Sequence, residues 1–304
     1  MKQGKLYANL HMHSTHSDGV YSPSELVKIA KEEGYKAIAI TDHDIGTGFS
    51  ELKEACIKEN MEYIFAVEFT VKDPYAFHIV GFDFDPEYPP MKEYLNKQAQ
   101  RYRYNTEMCF KEAIETGNIT GITWEEVLEF NKGILWICNN HVFRAMQNKG
   151  LVEESQYMEW FDLNFRYQRD KYKTAEDYLP LKELVKIIKD AGGFAVCAHP
   201  KTEQLDRFDL LKECGIVGLE VLHPGMNEEQ RERAYKLCIE NDWFISGGSD
   251  HCGLCGGYYN SYPDEDALKN SYHYIDNLSV GVYEENFREI KERKIIRKKE
   301  SVNL

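Results

Sequence analysis

No stretch of the sequence approaches the roughly 18 consecutive apolar residues that a membrane-spanning helix requires. The opening residues, Met1 to Leu10, carry neither the apolar segment nor the small-residue cleavage site of a secretory signal. Cytoplasmic location, with no membrane partner, is the resulting expectation. Positive charge is also scarce, since 37 Lys and Arg stand against 51 Asp and Glu, a net −14 with His neutral. That balance disfavours a protein that coats long nucleic acid, because displacing counterions from phosphates needs clustered cations. Internal repeats and low-complexity tracts are absent as well. An apolar share of 42% with 29% charged residues excludes collagen-like and disordered classes. Cysteine is thin for a disulfide framework: eight residues, with only Cys252 and Cys255 spaced as Cys-x-x-Cys. We read these as reduced packing thiols rather than a redox pair.

What the chain does have is ten histidines, several of them beside Asp, Glu, Ser and Gly. Seven short apolar runs read as strands: Leu6 to Leu10, Ala37 to Thr41, Tyr63 to Val67, Phe77 to Phe82, Phe194 to Ala198, Ile216 to Leu222 and Trp243 to Ser246. Amphipathic stretches alternate with them. The first has Ser22 as N-cap, Pro23 at the first helical position, Glu25 closing a capping box and Gly34 at the far end. Another starts at Asn227, three residues before Gln230, and runs to about Asn241. Strand and helix in alternation predict βαβ units and a mainly parallel sheet, hence an α/β core.

From Met91 to Ala191 the pattern turns helical, with Pro89-Pro90 before it, Gly192-Gly193 after it and a second capping box at Thr123 and Glu126. The expected organisation is a barrel core from 1–90 and 192–304, with a helical insertion at 91–191. The basic tail, Lys291 to Lys299, reads as a solvated helix end.

Nearly every strand ends at a residue that can bind metal. His11 and His13 follow the first, Asp42, His43 and Asp44 the second, Glu68 the third, His199 the fifth, Glu220 and His223 the sixth, Asp250 and His251 the seventh. Alternation places His11 and His13 on one face. Singly, each has a structural explanation: a loop histidine with a hydrogen bond, or an acidic N-cap. Repetition on strand after strand points instead to a site at the rim of an α/β barrel. Imidazoles mixed with carboxylates suit Zn, Mn or Fe, and the number of ligands exceeds what one tetrahedral ion takes. Two or three divalent ions are expected.

These residues resemble a known family. His11-Met12-His13-Ser14, Ser17-Asp18-Gly19, Ile40-Thr41-Asp42-His43-Asp44, Glu68, His78-Ile79-Val80-Gly81-Phe82, Ala198-His199-Pro200 and Gly248-Ser249-Asp250 are similar to the PHP (polymerase and histidinol phosphatase) metal-dependent phosphoesterases. The resemblance implies a distorted seven-stranded (β/α) barrel. It also implies ligands at His11, His13, Asp18, His43, Glu68, His78, His199 and Asp250, with Glu68 bridging. Asn140-His141-Val142-Phe143-Arg144 is similar to the insertion of the subgroup that removes the 3′-phosphate of nucleoside 3′,5′-bisphosphates, whose relatives trim short oligoribonucleotides from the 5′ end. His141, Arg144, Lys201 and Asp18 are then the expected substrate contacts, and a small phosphorylated nucleotide or short RNA the expected partner. The implied reaction is attack of a metal-bound hydroxide on a phosphate monoester, with Glu68, His199 and His223 catalytic and His223 the general acid.

Two positions depart from the pattern. The family's last motif is Ser-Asp-x-His-Gly, whereas this chain reads Ser249-Asp250-His251-Cys252-Gly253. His251 is the preferred last ligand and Cys252 the alternative. Lys201 stands where the subgroup has Gly-Arg, which keeps the charge without the bidentate fork. Histidinol phosphate hydrolysis is another reading of the same mechanism. An amidohydrolase is a third, weakened because no lysine ends a strand to bridge metals.

Overall fold

The computed structural model describes residues 5–72, 77–166, 171–172, 178–252 and 280–293. Cys255 and most of the Lys291 to Lys299 tail lie outside the described residues. The chain is a mixed α/β fold in which the described strands form two sheets. In the first, β1 (Ala8–Asn9), β2 (Ala37–Ile38) and β3 (Glu62–Tyr63) pair in that order, all parallel. The second runs β4 (Ala66–Thr70), β5 (His78–Phe82), β6 (Phe194–Cys197), β7 (Gly218–Leu222) and β8 (Phe244–Gly247). Strand β5 is antiparallel to both neighbours, and β6, β7 and β8 are mutually parallel. The sheets are joined where Leu10 N donates to Gly247 O at 3.1 Å and Glu68 N to Thr41 O at 3.2 Å.

The expected seven strands become eight because the run Tyr63 to Val67 breaks in two. Its first part pairs with β2 and its second with β5. At the break, Phe65 O accepts from Asp83 N at 2.8 Å, outside either ladder.

Helix α1 (Pro23–Glu32) begins with the expected box, Ser22 accepting from Glu25 N and Glu25 returning to Ser22 N. It turns Leu26, Val27 and Ala30 into a core shared with α2 (Phe49–Glu59). The helical stretch holds α3 (Pro89–Glu115), α4 (Trp124–Phe130), α5 (Asn139–Asn148) and α6 (Tyr157–Phe161), and α7 (Leu181–Asp190) follows. Both ends of this stretch belong to the sheet's core: Met91, Tyr94 and Leu95 from α3 and Leu184, Val185 and Ile188 from α7 pack with Phe69, Ile79 and Ala195. A second core, centred on Phe110, Phe143 and Trp160, is built from residues of the helical stretch itself. Further α-helices among the described residues are α8 (Thr202–Asp206), α9 (Phe208–Glu213), α10 (Glu228–Asn241) and α11 (Glu284–Lys291). No helix among the described residues is long and apolar enough to cross a membrane.

Candidate metal centre

Glu68 is the middle residue of β4, fully buried, and five imidazoles face its carboxylate. Oε1 lies 3.0 Å from His78 Nδ1 and 2.9 Å from His199 Nε2. Oε2 lies 3.2 Å from His11 Nε2, 3.4 Å from His13 Nε2 and 3.1 Å from His43 Nδ1. Burial alone would raise the carboxyl's pKa, but the charges on His11, His78 and His43 outweigh it and hold Glu68 well below the carboxylate range.

Two further carboxylates complete the rim. Asp250 Oδ1 is 2.9 Å from His13 Nε2 and 3.5 Å from His11 Nε2, and Asp250 Oδ2 is 3.5 Å from His223 Nε2. Asp18 stands 3.5 Å from His13 Nδ1 and 3.7 Å from His43 Nε2. The opposing acids act on the histidines in different proportions. For His13, burial is outweighed by Asp18, Asp250 and Glu68, and its pKa rises to about 9. His43 is lowered to about 4 because burial exceeds the pull of Glu68 and Asp18.

The strand ends that present these groups are conformationally special. Asp44 (φ 50°), His199 (φ 28°) and Asp250 (φ 55°) occupy the left-handed region, which costs energy for residues with a Cβ. Surrounding bonds hold them there: His199 N donates to Glu220 Oε2 at 2.7 Å, and Asp250 N to His11 O at 2.9 Å. Glu220 also takes His11 Nδ1 at 2.9 Å, which fixes that ring with Nε2 toward Glu68.

Four groupings of these side chains could each hold a divalent ion: His11, His13, Glu68 and Asp250; His11, Glu220 and His223; His13, Asp18 and His43; and His43, Glu68 and His78. The donor atoms fit that use. His11 Nε2, His13 Nδ1 and Glu68 Oε2 are buried and make no hydrogen bond despite their close approach. Buried polar atoms are rarely left so, and a cation among them would satisfy their lone pairs.

The expected ligands His11, His13, Asp18, His43, Glu68, His78 and Asp250 all fall within these groupings, and His199 contacts the same Glu68 oxygen as His78. His251 does not join them. Its ring stacks on Tyr21, centroids 5.9 Å apart and planes 6° apart, because the chain after Asp250 pairs with β1's extension through His13 N and His251 O. His223 occupies the rim instead, and the buried Cys252 is in none of the groupings.

Among the expected substrate contacts, Arg144 is half-buried on α5 and makes no ion pair among the described residues; burial lowers its pKa. Lys201 donates Nζ to Gly225 O, and burial lowers its pKa against the opposing pull of Asp250 and Glu220. His141 spends both ring nitrogens inside the protein, Nδ1 accepting from Cys138 N and Nε2 donating to Thr15 O, each at 3.0 Å. It is therefore a loop anchor in this structure rather than an open substrate contact.

Sequence reading missed Asp42 as an organiser. Its carboxylate accepts from Ser14 N, Ser14 Oγ and Ser17 Oγ at 2.7, 2.7 and 2.6 Å, so it shapes the loop that carries Asp18. The Ser14-x-x-Ser17 spacing was the available signal. Trp136, stacked on His43 at 6.3 Å, had none.

The PHP domain profile matches residues 9–196, most of the chain. The chain belongs to the PHP family. It is 26% identical over 257 residues to phosphoribosyl 1,2-cyclic phosphate 1,2-diphosphodiesterase of Eggerthella lenta, covering 82% of this chain and 95% of that protein. A 5′-3′ exoribonuclease of Haemophilus influenzae is 29% identical, with 82% and 90% covered. The 3′,5′-nucleoside bisphosphate phosphatase of Chromobacterium violaceum is 27% identical, with 80% and 86% covered. The fold is similar to a solved Bifidobacterium adolescentis protein assigned as a metal-dependent phosphoesterase, at a TM-score of 0.64 and 26% identity, over 88% of this chain and 96% of that one. This PHP protein is accordingly a metal-dependent phosphoesterase. Its relatives differ in substrate.

Proposed function

We propose that this PHP protein removes the 3′-phosphate from a nucleoside 3′,5′-bisphosphate, with the sheets acting as a distorted (β/α) barrel and the helical stretch as its cap. The observation that carries the reading is Glu68, buried at the convergence of five imidazoles with Asp18 and Asp250 alongside. His11, His13, Asp18, His43, Glu68, His78, His199 and Asp250 would hold two or three divalent ions of Mn, Zn or Fe. Such ions supply a nucleophilic water at neutral pH and neutralise charge on the phosphoryl oxygens.

The protein's own groups do the rest. His223 donates a hydrogen bond from its Nε2–H to the leaving oxygen, beside Asp250, and so stabilises the charge that develops there. Glu220 keeps His11 and the His199 backbone in place. Arg144, with a desolvated guanidinium, and Lys201 hold the phosphate that is not cleaved. A nucleoside 3′,5′-bisphosphate reproduces the 5′ end of an RNA strand, so the exoribonuclease relative supports a second reading in which short oligoribonucleotides enter the same site.

The test is phosphate release by protein purified without chelator, after its metal content is measured. The panel is adenosine 3′,5′-bisphosphate, 5′-monophosphates, histidinol phosphate and short 5′-phosphorylated RNA. Fastest turnover of the bisphosphate is expected. Preference for RNA or histidinol phosphate would replace the substrate, and release from none would overturn the reading.

A further inference from the structure

The loop from Ser14 to Gly19 carries Asp18 to the rim, and it is gripped from two sides. From below, Asp42 binds Ser14 and Ser17. From above come three side chains at the start of α5. Asn140 Nδ2 donates to the carbonyl of Asp18 itself at 2.6 Å, His141 Nε2 to Thr15 O at 3.0 Å, and Cys138 Sγ approaches Ser17 O at 3.8 Å. The grip is itself braced. Asn140 Oδ1 accepts from Tyr157 Oη and from Asn139 Nδ2, the latter at 2.7 Å, and His141 Nδ1 accepts from Cys138 N. The loop has little slack, because a Cβ on Gly19 would stand 2.1 Å from His13 O.

We propose that Asn140 and His141 are positioning residues of the metal centre: by fixing the Asp18 loop they preorganise His13, Asp18 and His43 for one ion. The helical stretch then does more than cover a substrate, since it completes one of the ligand groupings without contributing a ligand. This rests on the ligand assignment proposed above. The reason is geometric. Asp18 lies on the loop before α1, whereas Glu68 and Glu220 sit within strands, and it is 15% exposed where Glu68 is 0%. The backbone bond from Asn140 holds the loop that sets where this carboxylate stands. Ligand placement within about 0.5 Å governs a site's affinity.

The experiment is titration of chelator-stripped protein with Mn²⁺, followed by calorimetry and by metal analysis after gel filtration. Variants are Asn140→Asp, which keeps the shape but turns a donor into an acceptor facing the Asp18 carbonyl, and His141→Ala. His141→Gln restores a donor to Thr15. Thermal melting monitors folding, and Tyr157→Phe, which removes the brace on Asn140 and one acceptor of Asn139, gives a milder version. Expected is loss of one ion per chain, or at least tenfold weaker binding of one ion, in Asn140→Asp and His141→Ala, with the other binding unchanged and His141→Gln close to wild type. Excess Mn²⁺ should recover turnover in Asn140→Asp. Wild-type stoichiometry and affinity in both variants would overturn the proposal. Wild-type protein that binds Mn²⁺ but hydrolyses no phosphate ester would sink the substrate reading alone. Wild-type protein that binds no divalent ion would sink both.

Discussion

The Nδ1 of His223 accepts the backbone N–H of Gly225 at 3.0 Å. In the neutral ring the proton must then sit on Nε2, which faces Asp250 Oδ2 at 3.5 Å. A ligand binding through Nε2 would need the opposite tautomer, so this arrangement suits a hydrogen-bond donor to the leaving oxygen better than a metal ligand; full proton transfer would require the doubly protonated ring, which the Gly225 bond and burial both oppose. His251, whose ring is stacked on Tyr21, is not placed to take the ligand's role either.

His223→Ala should therefore cut turnover by about 10²- to 10³-fold, the usual cost of removing a hydrogen-bond donor to developing negative charge, while metal content stays within error of wild type. His251→Ala should leave metal content unchanged too. Plasma emission analysis and steady-state kinetics check both, and loss of an ion in His223→Ala would make it a ligand.

Glu68→Gln removes the one charge that all five imidazoles share. Turnover should fall at least about 10³-fold, as expected when the ions' several kcal/mol of transition-state stabilisation are lost. Unfolding should remain a single cooperative transition by circular dichroism. An active Glu68→Gln protein would refute the site.

Arg144→Ala tests the second phosphate subsite. A charge-assisted hydrogen bond contributes about 1.5–3 kcal/mol, so KM for adenosine 3′,5′-bisphosphate should rise roughly 10- to 100-fold. KM for substrates with one phosphate should move much less. Equal effects on both classes would place Arg144 elsewhere in the mechanism.

His141 gives a pH signature of stability. Burial, only partly offset by the bond to Thr15, lowers its pKa from 6.5 to about 4. The folded state thus resists protonation that the unfolded chain accepts, so this contribution is intact above pH 6.5 and is lost as pH falls toward 4. The slope is about 1.4 kcal/mol per pH unit in that window. Urea melts from pH 7 to 4 should show a shallower decline for His141→Gln than for wild type. Parallel curves would refute the assignment.

Much of the centre was legible because it rests on local rules. Alternation in the extended segment after β1 put His11 and His13 on one face, and both now face Glu68 Oε2. The capping boxes at Ser22, Thr123 and Asn227 are all formed, since a cap depends only on residues three apart. What escaped is non-local. Nothing in the run Tyr63 to Val67 says that its two halves pair with strands on different sheets, or that β5 runs against both neighbours. Motif spacing placed His251 near the rim, but the direction of its ring follows from the backbone pairing of His13 with residue 251. Asn140 and Asp42 act through backbone groups and loop hydroxyls, which leave no periodic trace.

The antiparallel pairing of β5 with β6 has an architectural consequence. Phe82, the last residue of β5, is the register partner of Phe194, the first of β6, and their rings stack 5.7 Å apart. Topologically, everything from Asp83 to Gly193 is the loop of one hairpin. The chain departs and returns at a single doorway in the sheet, beside the core that α3 and α7 share with β4, β5 and β6. The ends of that excursion are anchored in the sheet's core, and its middle returns through Asn140 to the loop that carries Asp18.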